Sequence, residues 1–229
     1  MMNASNENEK GYADLGHTKT DLLRQQNSGF DEVVFGNGKT DSQLIDIINH
    51  AAANSGRVFV TGVNLEAARS ATARFPDLVW DEEAQTLALG KHDSVAHRKL
   101  LLISAGTSDL RVLKEAENTL GFFGFQTSRL VDVGIAGLHR LLSNLEEIQT
   151  HDLLIVFAGM EGALPSVLAG LTSAPIIAVP TSVGSGVSEG GRVALHSMLS
   201  SCSPGIAVVN IDNGFGAAMF AAKLLKRFE

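Results

Sequence analysis

The second half of the chain alternates between short apolar runs and longer segments with apolar residues three or four apart. Residues 153–159, LLIVFAG, are apolar or glycine throughout, the pattern of a strand buried on both faces of a parallel sheet. Gly159-Met160-Glu161-Gly162 ends the run, and Ala163, Leu164, Val167, Leu168 and Leu171 follow at helical spacing. A strand that breaks at glycines and opens straight into a helix puts its turn at the carboxyl edge of a sheet, where open α/β folds bind ligands. The unit recurs from residue 99 onward. Residues 100–104 predict a strand, followed by Ala105-Gly106-Thr107-Ser108-Asp109 and a helix to about residue 121. Residues 125–131 predict the next strand, followed by DVGIAG and one helix with Leu138, Leu141, Leu142, Leu145 and Ile148 on a single face. After residues 176–179 come Thr181-Ser182-Val183-Gly184-Ser185-Gly186 and a helix from about 191 to 202, and after residues 206–211 come Asp212-Asn213-Gly214 and a last helix. Strict alternation predicts an α/β fold, a doubly wound parallel sheet with right-handed crossovers, whose polar turns converge on one edge.

Ahead of residue 99 the elements are shorter. Residues 1–18 are polar and aperiodic and read as a disordered tail. Val33, Val34 and Phe35 predict a strand, and Gly36-Asn37-Gly38 a turn. Lys39 and Thr40 invite a phosphate-loop reading, but GNGKT lacks the first glycine of that motif at the right distance. A helix capped near Thr40 or Asp41 accounts for the stretch instead. Leu44, Ile45, Ile47, Ile48 and Ala51 fit an amphipathic helix, residues 58–60 a strand, residues 65–75 a helix stopped by Pro76, and residues 78–80 and 86–89 a hairpin. These delimit a small α/β N-terminal domain over 19–91, a polar linker over 92–98 and the repeating unit over 99–229. His92 and His97 in the linker have no partners at metal-ligand spacing and read as solvated.

Composition narrows the function classes. The 229 residues are 45% hydrophobic and 19% charged, enough to build a core. A net charge of -7 with no basic block argues against nucleic-acid binding, although backbone N–H groups can still hold a nucleotide's phosphates. No apolar run reaches the roughly 18 residues of a membrane span. The N-terminus has neither the basic start nor the apolar region of a secretory signal, and a single cysteine allows no internal disulfide. Together these point to the cytoplasm.

The turns hold the candidate chemistry. Thr107-Ser108-Asp109 sits at a helix start, where capping explains it as readily as a phosphate cradle opened by Gly106. Asp109 would repel a bare phosphate, so a functional role there means a ribose hydroxyl, a proton or Mg²⁺. His139 falls in the first turn of its helix, off the leucine face, and is either a surface residue or an acid–base group. Glu161 either favours the positive end of its own helix or faces a ligand admitted by its flanking glycines. Cys202 lies in Ser-Ser-Cys-Ser-Pro-Gly, a polar turn that gives a nucleophile access, though a free cysteine is more often a small buried hydrophobe.

ISAGTSDL, DVGIAGLHRLL, AGMEGALPSVLAGL, PIIAVPTSVG and SCSPGIAVVNIDNGFGAA resemble the pyridinium-3,5-biscarboxylic acid mononucleotide synthases. Those enzymes begin assembly of the nickel-pincer nucleotide cofactor, and their catalytic half is similar to aminoimidazole ribonucleotide carboxylase. SGFDEVVFGNGKT resembles their N-terminal domain. The family usually has an aromatic where this chain has Ser185 and a Phe where it has Glu189. The resemblance implies an aminoimidazole-ribonucleotide-carboxylase-like fold and carboxylation of nicotinic acid adenine dinucleotide at ring C5, with carbon dioxide or bicarbonate as co-substrate. The phosphoanhydride would be hydrolysed to AMP with help from Mg²⁺. Cys202 would add to the ring, Glu161 or His139 would take its proton, and Ser108 and Asp109 would complete the catalytic set. Substrate would be held by Gly106 and Thr107, by Gly159, Met160 and Gly162, by Thr181, Ser182 and Gly184, and by Asp212 and Asn213. A homo-octamer with sites between subunits is also implied. Two rivals remain at this point: a purine-type carboxylase or mutase, which needs no thiol, and a nucleotide-binding module without catalysis.

Overall fold

The chain divides into two compact units, one ending at His92 and the other beginning at Asp93; the computed structural model describes residues 10–95 and 98–227. The first unit opens with a hairpin of β1 (Tyr12–Asp14) and β2 (Lys19–Asp21), paired antiparallel with Ala13 opposite Thr20. The expected tail is therefore ordered from Tyr12 onward. Ala13 is buried, and Lys19 Nζ stands 4.9 Å from the Tyr12 ring centroid. Strands of three residues are too short to carry a legible alternation. Residues 1–9 lie outside the described residues.

After α1 (Arg24–Ser28) come β3 (Val34–Phe35), α2 (Asp41–Ser55), β4 (Val58–Thr61), α3 (Leu65–Arg74), β5 (Val79–Asp81) and β6 (Thr86–Leu89). The sheet order is β3-β4-β6-β5, with β3 and β4 parallel and the other pairs antiparallel. Leu44, Ile47 and Ile48 of α2 pack on Val58, Val60 and Leu87 of the sheet. Thr40 starts α2 with a reciprocal cap: its hydroxyl accepts from the Gln43 N–H at 3.3 Å, and the Gln43 side chain accepts from the Thr40 N–H at 3.0 Å. The GNGKT stretch is thus a turn and a helix cap. His92 is half-buried rather than solvated, because its Nε2 lies 2.9 Å from Asp31 Oδ2, which also accepts from Arg57 Nε at 3.3 Å. His97 lies outside the described residues.

The second unit is built from β7 (Leu100–Ser104), α4 (Leu110–Phe122), β8 (Ser128–Leu130), α5 (Leu138–Leu142), α6 (Leu145–Gln149), β9 (Leu153–Ala158), α7 (Leu164–Ala169), β10 (Ile176–Pro180), α8 (Arg192–Leu199), β11 (Ile206–Val208) and α9 (Gly214–Arg227). All five strands are parallel, in the order β11-β10-β9-β7-β8. Every residue of β7, β9 and β10 is buried, which is why these runs show no polar alternation. On one face Leu101, Leu154, Val156 and Ile176 pack with Leu141, Ile148, Leu168 and Met198 of α5 to α8. Helices α4 and α9 pack together against the other face. The single helix expected from residue 138 is two. Ser143 Oγ and Asn144 Nδ2 both donate to the Arg140 carbonyl, at 3.0 and 2.8 Å, and such side-chain bonds compete with the helical ladder. Leu138 and Leu142 are exposed as a result, while Leu141 and Ile148 remain in the core. No helix among the described residues is long and apolar enough to cross a membrane.

This strand order fixes the position of the site. The chain steps from β7 to β8 on one side, then returns to β9 on the other side of β7. The turns after β7 and β9 therefore leave in opposite directions and open a crevice between them.

Candidate functional site

A cavity of about 540 Å³ occupies that crevice. The turn after β7 supplies Gly106, Ser108 and Asp109, and the turn after β8 supplies Gly134, Ile135 and Ala136. Gly159, Met160 and Glu161 follow β9, and Val183, Gly184 and Ser185 follow β10. Ala105, Ala158, Ala163 and Leu164 complete the apolar part of the wall.

Asp109 anchors three of these turns. Residues Thr107–Asp109 form a 3-10 turn leading into α4, and Asp109 is only 3% exposed. Its Oδ1 accepts from the Thr181 hydroxyl at 2.6 Å and its Oδ2 from the Gly106 N–H at 2.8 Å, and the Gly159 N–H is a third donor. Burial pushes its carboxyl up from the ordinary 3.8, outweighing these donors, and the charge on Asp212 pushes the same way. One buried carboxyl thus ties the ends of β7, β9 and β10 together.

The loop after β9 is pinned at both ends. A Cβ at Gly159 would overlap the Val183 carbonyl oxygen and stand 2.9 Å from Thr181 Oγ1. A Cβ at Gly162 would come within 2.8 Å of Ala194 Cα. Between them Met160 adopts φ +51°, a left-handed conformation uncommon outside glycine. Glu161 is exposed on the cavity wall and has no hydrogen bond or ion pair among the described residues.

The other expected site residues have different employment. Thr181 is fully buried and spends its hydroxyl on Asp109. Ser182 gives Asp212 its N–H at 2.9 Å and its hydroxyl at 2.6 Å, and Arg111 Nη2 reaches the same carboxylate at 3.1 Å. Asn213 Oδ1 accepts from the Gly216 N–H at 2.7 Å at the start of α9. Thr107 is exposed on its turn, Gly162 packs against α8, and neither lines the cavity. His139 is exposed as the second residue of α5 and is not part of the wall. Cys202 is exposed too, but it precedes β11 and so stands toward the amino ends of the strands. Its neighbours are tied to α7: Ser166 Oγ bonds Ser201 Oγ at 2.8 Å, and Ser203 Oγ donates to the Ser166 carbonyl at 3.0 Å. Within one chain the cavity gathers Gly106, Ser108, Asp109, Gly159, Met160, Glu161 and Gly184, and leaves Cys202 and His139 outside.

Gly134, Ile135 and Ala136 carry no polar side chain to mark them in the sequence, although DVGIAG repeats the spacing of Gly159 and Gly162. Arg111, two residues beyond Asp109 in the same helix start, is likewise unmarked by any motif, and its role shows only in its ion pair with Asp212. Among the described residues no group of three or more His, Cys, Asp or Glu is placed to hold a metal ion.

Residues 12–91 match the family described as LarB/PurE-like N-terminal domain, and residues 99–229 match AIR carboxylase. An uncharacterised protein of Methanocaldococcus jannaschii is 39% identical over 217 residues, spanning 91% of this chain and 84% of its own. The N5-carboxyaminoimidazole ribonucleotide mutase of the same organism is 35% identical over 133 residues, 55% of this chain and 78% of the mutase. A crystal structure of PurE from Treponema denticola aligns with a TM-score of 0.46 and 20% identity, covering 57% of this chain and 81% of that one.

Proposed function

Because the chain belongs to the AIR carboxylase family and carries a LarB/PurE-like domain ahead of it, we propose that it carboxylates the pyridinium ring of nicotinic acid adenine dinucleotide at C5 and hydrolyses the phosphoanhydride. The products are pyridinium-3,5-biscarboxylic acid mononucleotide and AMP, and the reaction opens nickel-pincer cofactor synthesis. The observation that carries this reading is the pairing of the two domains in one chain. The mutase relative aligns with only 55% of this chain.

A pyridinium ring is electron-poor and does not attack carbon dioxide. Addition of the Cys202 thiolate at C4 gives a 1,4-dihydropyridine, whose N1–C6=C5 unit is an enamine. C5 then attacks carbon dioxide and forms the new carbon–carbon bond. Glu161, the unpaired carboxylate on the wall, accepts the C5 proton, and expulsion of the thiolate restores the aromatic ring. In this reading the thiol comes from a neighbouring copy, since Cys202 stands away from its own chain's cavity, and the enzyme is a homo-oligomer. The Ser108 and Ser185 hydroxyls on the wall face the phosphates, because the Gly106 and Gly184 N–H groups are already given to Asp109 and to the Ser182 carbonyl, and the small apolar floor at Ala105 and Ala158 takes carbon dioxide. The cavity's hydroxyl and carboxyl side chains, Ser108, Asp109, Glu161 and Ser185, offer oxygen, which suits a hard cation. Mg²⁺ bound to the substrate's phosphates and the Ser108 hydroxyl would supply charge neutralisation for the hydrolysis.

The mutase relative favours a second reading, an aminoimidazole ribonucleotide carboxylase or mutase. That substrate is already nucleophilic and leaves Cys202 without a task. The purified protein should be incubated with bicarbonate, Mg²⁺ and either nucleotide. AMP together with a doubly carboxylated pyridine supports the first reading, and turnover of the aminoimidazole alone replaces it with the second. Binding of either nucleotide without turnover makes the chain a nucleotide-binding module.

A further inference from the structure

Met160 stands out among the cavity residues because its position is unfavourable in two ways. Its left-handed backbone, φ +51°, suits glycine, and side chains avoid it. Its apolar side chain is also 48% exposed, so the strain is not repaid by burial in the core. Neither glycine of the loop can relieve it, because Gly159 is wedged against Val183 and Gly162 against Ala194. Strain held by surrounding structure at a cavity wall marks a position kept for what it presents.

What it presents is a thioether at the mouth of a cavity that has no aromatic lining residue among the described residues. The other apolar lining groups are short or branched aliphatics, and Leu164 is almost wholly buried. A flat heteroaromatic ring entering the crevice meets no side-chain ring in this chain's described lining. An unbranched thioether is flexible, polarisable and attracted to aromatic rings, the more so when the ring is electron-poor. We propose that Met160 is the ring-recognition residue of this site, its thioether covering one face of the heteroaromatic base of the bound nucleotide. The inference rests on the proposed function for the identity of that ring, and on the strained, exposed position of Met160 on the cavity wall for its role.

The test measures equilibrium binding of nicotinic acid mononucleotide and of ribose 5-phosphate, which lacks the ring, to the full-length protein. Met160→Ala removes the side chain and keeps the strained φ, whereas Met160→Gly removes both. Both variants should bind the mononucleotide about two- to tenfold more weakly, the range of a sulfur–aromatic contact, and bind ribose 5-phosphate as the wild type does. Met160→Leu should stay within about twofold, and Met160→Gly should melt no lower than the wild type because strain is released. Unchanged mononucleotide affinity in the Ala and Gly variants overturns the proposal, as does an equal loss for both ligands. A shift to a smaller oligomer with ring affinity intact makes Met160 a subunit contact and also overturns it. Met160-dependent binding of aminoimidazole ribonucleotide with no binding of nicotinic acid mononucleotide sinks the proposed function and leaves ring recognition standing. A wild-type protein that binds neither nucleotide overturns both.

Discussion

The Thr181 hydroxyl donates to Asp109 Oδ1 at 2.6 Å, across 72 residues of sequence and with both side chains buried. The bond links the end of β10 to the turn after β7 and holds the buried carboxyl beside the cavity.

Thr181→Val keeps the shape and removes the donor. The variant should lose about 1.5–3 kcal/mol, the range for a hydrogen bond to a charged group, whereas Thr181→Ser should lose less. Chemical denaturation of the two variants checks this; a valine variant as stable as the wild type would show that Asp109 needs no hydroxyl partner.

Asp109 also sets a pH dependence. Its folded carboxyl titrates above the ordinary 3.8 because of burial, so between these two values the folded chain holds more protons than the unfolded chain. Stability from this group is full below about pH 4 and is lost as pH rises through the folded value. The stability difference between the wild type and Asp109→Asn, followed by thermal melts from acid to neutral pH, should therefore shift against the wild type as pH rises. A difference that moves the other way would mean that the three donors outweigh burial.

Gly159→Ala should be among the most damaging single-methyl additions. The new Cβ would overlap the Val183 carbonyl oxygen, a backbone atom that cannot step aside without moving the turn after β10. Overpacking of this kind costs about 1–3 kcal/mol. Nucleotide affinity should fall along with the melting temperature, and a variant with wild-type values for both would show that the two turns slide freely.

Cys202→Ser should abolish ring carboxylation with little change in melting temperature, because the residue is exposed in its turn. Glu161→Gln should lower the rate by about 10²–10⁴-fold, the usual span for a general base. If the thiol and the carboxylate of one site come from different copies, mixed oligomers of the two inactive variants regain measurable activity. Failure of properly mixed oligomers to regain any would place both groups in one chain's site. Light scattering that finds only a monomer would remove the intersubunit site altogether.

The repeating half of the fold is legible because its information is local. Residues 100–103 and 153–158 are apolar without interruption since both faces of their strands are covered, and each run gives way to a glycine turn where a helix begins. Alternation then fixes the parallel sheet and sends every polar turn to one edge. That rule places the turns that wall the cavity at one edge, whereas the residues expected to bind within them rest on the family resemblance. The helix broken at Ser143 and the hairpin from Tyr12 were less legible. Side-chain bonds to one carbonyl decided the first, and the second rests on three cross-strand pairs with little periodicity to read.

Other features belong to tertiary structure. Thr181 and Ser182 sit in a turn of the right composition, but only the packed sheet shows that one hydroxyl serves Asp109 and the other Asp212. Cys202 lies in a motif as suggestive as any in the chain, yet strand direction sets it toward the amino ends, because a residue that precedes a parallel strand cannot share the edge of those that follow one. The sequence by itself determined which edge of the sheet is polar and glycine-rich, through the period and polarity of neighbouring residues. Only the tertiary structure decided which of those polar groups face the cavity and which face each other, because pairing between distant turns depends on strand order and register, and these are set by contacts across the whole sheet.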